Sequence, residues 1–339
     1  MAKQQSASQE PQVSSLVDRW GRRITRLRLA VSDQCSFRCH YCRPRPADEG
    51  TIAGRLLSAD EIIMVAEAAV ECGIRSIRLT GGEPLLRPGL TGIVRRLSQL
   101  GTGLDIALTT NGLLLKQMAA ELAEAGLSRV NVSLDSLRED RFREITGQDS
   151  LGNVLEGLKA AESAGLRPIK LNVVLMRGQN DNEILDMVRL AGDAGRHLRF
   201  IEFMPLDGRE EWLPSATVYV DEVRERIEEV FALTPLPPDE SPGDHYLLGE
   251  GATTVSLIGA ISHPFCDRCN RLRVTADGFL RACLFSQSEQ DLRPALSSGE
   301  PRAALVAAYT AAVAAKPAGH DMSEEGFVRP ARAMFAIGG

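Results

Sequence analysis

Six of the seven cysteines in this 339-residue sequence fall into two tight groups, Cys35, Cys39, Cys42 and Cys266, Cys269, Cys283, with Cys72 apart. Grouped thiols in a chain whose opening residues lack the apolar core of a signal peptide read as metal ligands rather than disulfides, and the chain is expected in the cytoplasm. The spacing Cys35-x3-Cys39-x2-Cys42 puts three thiolates in one short loop. A cubane [4Fe–4S] cluster normally takes four cysteines, one per iron, so three leave one iron open. Tetrahedral zinc is the alternative, but its local fourth ligand, His40, lies inside the loop with poor reach. Cys266-x2-Cys269-x13-Cys283 is again three, and His263 stands three residues upstream. By spacing alone, a cluster and a Cys3His zinc site stay equally open there. Cys72 reads as a small buried apolar residue.

An open iron can take the amino and carboxylate groups of S-adenosylmethionine and pass an electron to its sulfonium, releasing a 5′-deoxyadenosyl radical. The run Thr80-Gly81-Gly82-Glu83-Pro84 suits such a ligand. Its glycines permit close backbone approach, and its carbonyls and Glu83 offer acceptors for an ammonium group. The formal net charge is −6, so a polyanionic substrate needs a local cation cluster. Arg28, Arg78, Lys170, Arg271 and Arg273 are candidates. Arg78 lies between Ile77 and Leu79, so in a strand it points away from its apolar neighbours, and Arg271 and Arg273 share one face if extended. No P-loop is present, which excludes a hydrolytic GTPase site of that kind.

These residues need a scaffold. Strands are expected at Arg26–Val31, Ser76–Thr80, Asp105–Thr109, Arg129–Leu134, Ile169–Leu175 and Arg199–Met204, alternating with helical patterns. Ser58 and Glu61 form a capping box and Gly73 a stop for the first helix; further helices are read at 113–125, 152–164, 181–194, 218–231 and near 300–315. Six such repeats argue for a parallel sheet or barrel, with the functional residues at the strand C-termini. Residues 234–243, TPLPPDESPG, read as a linker. The expected divisions are a disordered arm at 1–15, a partial barrel at 16–233 and a C-terminal region at 234–339.

The first cysteine group with TGGEP resembles the radical S-adenosylmethionine superfamily. RLRLAVSDQCSFRCHYC, IRLTGGEPLLR, LTTNGLLL, VNVSLD, RFIEFMP, CDRCNRLRVTADG and the terminal IGG narrow the resemblance to the GTP 3′,8-cyclase family. That resemblance implies an α/β fold, an incomplete (β/α)6 TIM-type barrel with a C-terminal extension, and two [4Fe–4S] clusters, the second binding guanine. It implies S-adenosylmethionine contacts at Tyr41, Gly82, Ser133 and Met204, and GTP contacts at Arg28, Arg78, Thr109, Lys170, Arg271 and Arg273. Gly338 and Gly339 would reach into the active site. The implied reaction is a lyase cyclisation of GTP to (8S)-3′,8-cyclo-7,8-dihydroguanosine 5′-triphosphate, in molybdenum cofactor biosynthesis. Cyclic pyranopterin monophosphate synthase would take the product, and a small protein would donate electrons; a homodimer is left open. The sequence departs from the family at Gln34, Arg43 and Ser76, the last a frequent lysine for which Arg75 is expected to compensate. The rival readings are another two-cluster radical enzyme, such as a peptide-modifying one, and a zinc-stabilised nucleic-acid-binding protein. Net acidity and the lack of basic–aromatic clusters count against the latter.

Overall fold

The structure, a computed structural model, describes residues 15–42, 55–206, 212–320, 322, 327–330 and 332–338. Most of the expected arm, together with Arg43 and Gly339, therefore lies outside the described residues. Six parallel strands run in sequence order: β1 (Arg26–Ser32), β2 (Ser76–Gly81), β3 (Asp105–Thr110), β4 (Arg129–Ser133), β5 (Lys170–Leu175) and β6 (His197–Glu202). Helices α1 (Ala59–Glu71), α2 (Leu90–Ser98), α3 (Leu115–Glu124), α4 (Glu139–Thr146), α5 (Leu151–Ser163) and α6 (Ile184–Gly192) supply the crossovers. Alternation builds the layers. Leu27, Leu29, Ile77 and Leu79 are at most 1% exposed against the helices, which turns Arg28 and Arg78 to the opposite face of the sheet.

The capping box forms as read: the Ser58 hydroxyl accepts from the Glu61 amide while Glu61 accepts from the Ser58 amide. Gly73, at φ 91°, ends the turn. Cys72 is fully buried in the apolar core, as its reading as a small apolar residue expects. Among the crossover helices, α2 and α4 escaped the sequence reading, because both are short and charged. The sixth strand begins two residues before the expected Arg199 and ends at Glu202, leaving Met204 on the loop beyond.

The C-terminal region extends both edges of this sheet. Helix α7 (Val220–Glu228) leads to β7 (Leu233–Pro235), β8 (Asp244–Leu248) and β9 (Thr254–Ile258), and β9 pairs parallel with β6. Strands β10 (Arg271–Val274), β11 (Phe279–Arg281) and β12 (Gln290–Asp291) follow, and β10 pairs parallel with β1. The sheet is open, with twelve strands in the order β12-β11-β10-β1-β2-β3-β4-β5-β6-β9-β8-β7. Helices α8 (Arg293–Leu296) and α9 (Pro301–Ala314) follow, ahead of a tail with a short helical turn at Met334–Ala336; Tyr309 on α9 donates to the Val65 carbonyl of α1 at 3.0 Å. Residues 236–243, read as linker, form the turn of the β7–β8 hairpin. No helix among the described residues is long and apolar enough to cross a membrane.

Candidate functional site

The first cysteine loop leaves the C-terminal end of β1 and is fixed by contacts from four other elements. Phe37 is buried and stacks edge-on against Phe142 of α4 at 5.7 Å. The Arg38 amide donates to the Thr146 carbonyl at 2.7 Å, and the Tyr41 hydroxyl donates to the Asp135 carboxylate at 2.6 Å. Gly81 and Gly82 press against the same loop. A Cβ on Gly81 would lie 2.2 Å from the Ser32 carbonyl oxygen, and one on Gly82 would lie 2.3 Å from that of Gln34. Both neighbours are backbone and cannot yield, so these positions require glycine.

Glu83 corrects an expectation. Its carboxylate does not face a ligand: it accepts from the Thr110 hydroxyl at 2.8 Å, the Asn111 amide at 2.7 Å and the Leu85 amide at 2.9 Å. Burial pushes its pKa up to about 7 despite those donors. Asn111, held by this bond, donates to the Ser36 hydroxyl at 2.9 Å and approaches the Cys35 sulfur at 3.8 Å. Glu83 therefore joins the strand-end turns of β2 and β3 to the cysteine loop.

The second triad is assembled from distant segments. Cys266 and Cys269 bracket a short turn before β10, and Cys283 follows β11. Arg22, ion-paired with Asp18 at 2.6 Å, donates to the carbonyls of Cys266, Pro317 and Ala318. His263, the possible zinc ligand, is engaged elsewhere, with its ring nitrogens 3.1 Å from Asp221 and 4.0 Å from Asp244.

The electrostatics of the two triads differ. Burial raises the Cys39 thiol well above its ordinary value, and Asp135 and the neighbouring Cys42 and Cys35 raise it further. Three thiolates so placed repel one another, and a cationic metal core is what lets all three deprotonate. Burial would also raise Cys269, but Arg271 and Lys316 outweigh it and bring the thiol down to about 6, the ligating form at neutral pH. Burial raises Cys266 of the same triad, and each set offers three thiols, the donor type that iron–sulfur clusters take.

One cavity joins them. Its lining includes all six cysteines, together with Tyr41, Gly82, Ser133 and Met204 and the substrate candidates Arg28, Arg78, Thr109, Arg271 and Arg273. Register explains the cations: Arg28 lies opposite Arg273 on β10 and Arg78 on β2, so three guanidinium groups stand abreast on adjacent strands. Desolvation and mutual repulsion lower the pKa of Arg28 and Arg78 well below the usual value and that of Arg273 to about 9. Lys170 is not among the lining residues. It lies at the start of β5, where burial and the cations Arg199, Arg129 and Arg78 depress it to about 7.

Arg199 is a candidate site residue that the sequence reading missed. It lines the cavity, is 4% exposed, and its Nε has no hydrogen-bond partner. The signal was available, since Arg199 alternates with buried Leu198 and Phe200 as Arg78 does with its neighbours. Arg75 is a second correction. It is exposed and lies just before β2, an odd number of residues from Arg78 and so on the opposite side of the pleat from the cavity face, and it cannot stand in for a cation at Ser76. Ser76 instead donates to Asp105 at 2.7 Å, beside the Arg129–Asp105 ion pair.

Gly338 enters this cationic zone. Its carbonyl accepts from Arg273 at 2.7 Å, its φ is +68°, and a Cβ there would meet the Thr80 hydroxyl at 2.5 Å. The end of the chain is thereby anchored on a residue that also lines the cavity.

Residues 29–191 match the model of the Radical SAM superfamily, and residues 196–322 match that named Molybdenum Cofactor Synthesis C. The chain is 44% identical to the GTP 3′,8-cyclase of Moorella thermoacetica, covering 95% of this chain and 99% of that protein. It is 43% identical to the GTP 3′,8-cyclase of Streptomyces coelicolor, covering 96% of each. Among solved structures, Streptococcus suis SuiB bound to S-adenosylmethionine superposes with a TM-score of 0.61 at 15% identity, over 83% of this chain and 72% of that one, a likeness of fold. The matched relatives run the length of the barrel and of both flanking sheet edges, and the chain belongs to the GTP 3′,8-cyclase family of radical S-adenosylmethionine enzymes.

Proposed function

We propose that the cavity between the two cysteine triads binds GTP and converts it to (8S)-3′,8-cyclo-7,8-dihydroguanosine 5′-triphosphate, the first step of molybdenum cofactor biosynthesis. The observation that carries this reading is the rank of Arg273, Arg28 and Arg78 between the triads. Three guanidinium groups so depleted of counter-ions form a site for a polyphosphate. In this reading two [4Fe–4S] clusters are held, one by Cys35, Cys39 and Cys42 and the other by Cys266, Cys269 and Cys283. The chemistry supplied there, with S-adenosylmethionine bound, is a 5′-deoxyadenosyl radical that accepts hydrogen from ribose C3′.

The chain's own residues position the reactants. Tyr41, Gly82, Ser133 and Met204 line the part of the cavity assigned to S-adenosylmethionine. Arg28, Arg78, Arg271 and Arg273, with Thr109, are assigned to GTP, its guanine towards the second triad, and Lys170, outside the lining, is assigned to it through the field it shares with Arg78 and Arg199. Gly338, held by Arg273, and Gly339 after it are assigned to the active site; a side chain at 338 would collide with Thr80. The reading takes 16–233 as the barrel portion and 234–339 as the part that brings the second cluster. It places the enzyme in the cytoplasm with a small electron-donor protein, and the product goes on to cyclic pyranopterin monophosphate synthase.

The test incubates reduced protein with S-adenosylmethionine and GTP deuterated at C3′. Deuterium should appear in 5′-deoxyadenosine; its absence, with turnover proceeding, would overturn the assigned abstraction site.

A further inference from the structure

Lys316 follows α9 and is 2% exposed, one of the largest fully buried side chains of the protein. Its ammonium donates to the carbonyl of Arg271 at 3.0 Å and to that of Ala282. Arg271 lies two residues after Cys269, and Ala282 directly precedes Cys283. The lysine thus ties together the two strands of the β10–β11 hairpin at the points where it delivers two cysteines. Its own place is fixed from behind: the Trp20 indole donates to the Lys316 carbonyl at 3.3 Å, and Arg22 holds the next two carbonyls.

The charge needs an explanation. Among the described residues no carboxylate pairs with Lys316. Burial lowers the Lys316 pKa; Cys269 and Cys283 are the groups that act to keep it charged, while Arg22 and Arg271 repel it. A buried ammonium held by two neutral carbonyls is unfavourable unless an anion lies close. A cubane core held by three thiolates is such an anion, with one net negative charge when oxidised and two when reduced. Arg271 is the stronger cation on Cys269, to which its side chain hydrogen-bonds, but its guanidinium also lies over Phe265 at 5.1 Å and lines the substrate cavity. Lys316 approaches from the backbone side and leaves that cavity clear.

We infer that Lys316 is a positioning residue for the second triad, a buried counter-charge that fixes the Cys269 and Cys283 segments and favours the reduced state of the cluster held there. The inference rests on the two-cluster reading proposed above. Its test uses the full chain, reconstituted anaerobically with iron and sulfide, with Cys35, Cys39 and Cys42 changed to alanine so that iron reports on the second triad. Lys316→Met and Lys316→Arg are compared in that background by iron and sulfide content and by redox titration followed by electron paramagnetic resonance. Lys316→Met should shift the midpoint potential to more negative values, and Lys316→Arg should restore it, because a fixed cation stabilises the more anionic state. Loss of iron in the methionine variant with retention in the arginine variant supports the same role. An unchanged potential in Lys316→Met, or equal loss of iron in both variants, overturns it. Zinc or no iron in the unsubstituted background overturns the two-cluster reading itself, and Lys316's role with it.

Discussion

Lys170 carries a measurable consequence of the crowded cations. Burial and three neighbouring guanidinium groups hold it at about 7 in the free protein, against an ordinary 10.5. An incoming polyphosphate reverses that repulsion and raises the value. Below about pH 7 the lysine is already charged and binding takes up no proton; above it, binding must draw one in. GTP affinity should therefore fall by up to about tenfold per pH unit above neutrality. Lys170→Met should flatten that slope, a result read by anaerobic calorimetry across pH. The sign for folding is opposite: the unfolded lysine holds its proton to higher pH, so this residue makes the free protein more stable as pH rises from about 7 to about 10.5. Arg199 and Arg75 separate interior from exterior charge. Arg199→Ala should weaken GTP binding on the order of tenfold or more, the loss of one charge-assisted hydrogen bond. Arg75→Ala should leave affinity unchanged, and a comparable loss there would return to Arg75 the compensating role that its exposure denies.

Among the elements, the turn after β2 has the least tolerance. Alanine at Gly82 places a methyl group 2.3 Å from the Gln34 carbonyl oxygen, so either β2's turn or the cysteine loop must move. We expect Gly82→Ala to cost on the order of 1–3 kcal/mol and to deplete iron at the first triad before the second. Iron analysis with thermal unfolding checks both; equal depletion at the two triads would contradict the local origin. These elements also show what a sequence discloses. The six parallel strands were legible because buried aliphatics alternate with interior polar residues, and α1 because its cap is a local hydrogen-bond pattern. The cations on β2 and β10 followed from the same alternation, which applied to Arg199 would have found it as well. Glu83, Arg22 and Lys316 were not legible. Each acts by hydrogen bonds to segments far away in sequence, and Glu83 even suggested a ligand contact that its buried partners rule out. The hairpin turn at 236–243 looked like a linker because proline and glycine serve both purposes.

For the whole molecule, the interior of the sheet stores unfavourable charge that a ligand relieves. Arg199 is depressed to about 10 and Arg273 to about 9, both chiefly by desolvation and then by neighbouring guanidinium groups. An inorganic triphosphate should therefore raise the unfolding temperature without any guanine contact. At a hundred times its dissociation constant the gain is about 2.7 kcal/mol, and added salt should diminish it. Differential scanning calorimetry decides the matter, and an insensitive transition would argue that guanine contacts, not charge, dominate binding.

The strand order carries a consequence for biosynthesis. β1 emerges first from the ribosome, yet its outer edge is covered by β10, made near the end of the chain, and the second triad is clamped by residues 17–22 together with 316–318. Until then a strand edge stands open beside grouped thiols, an arrangement prone to aggregation and oxidation. On the two-cluster proposal, the clamp on the second triad is complete only once residues 316–318 are made, and a nascent chain interrupted before residue 316 would hold one cluster at most.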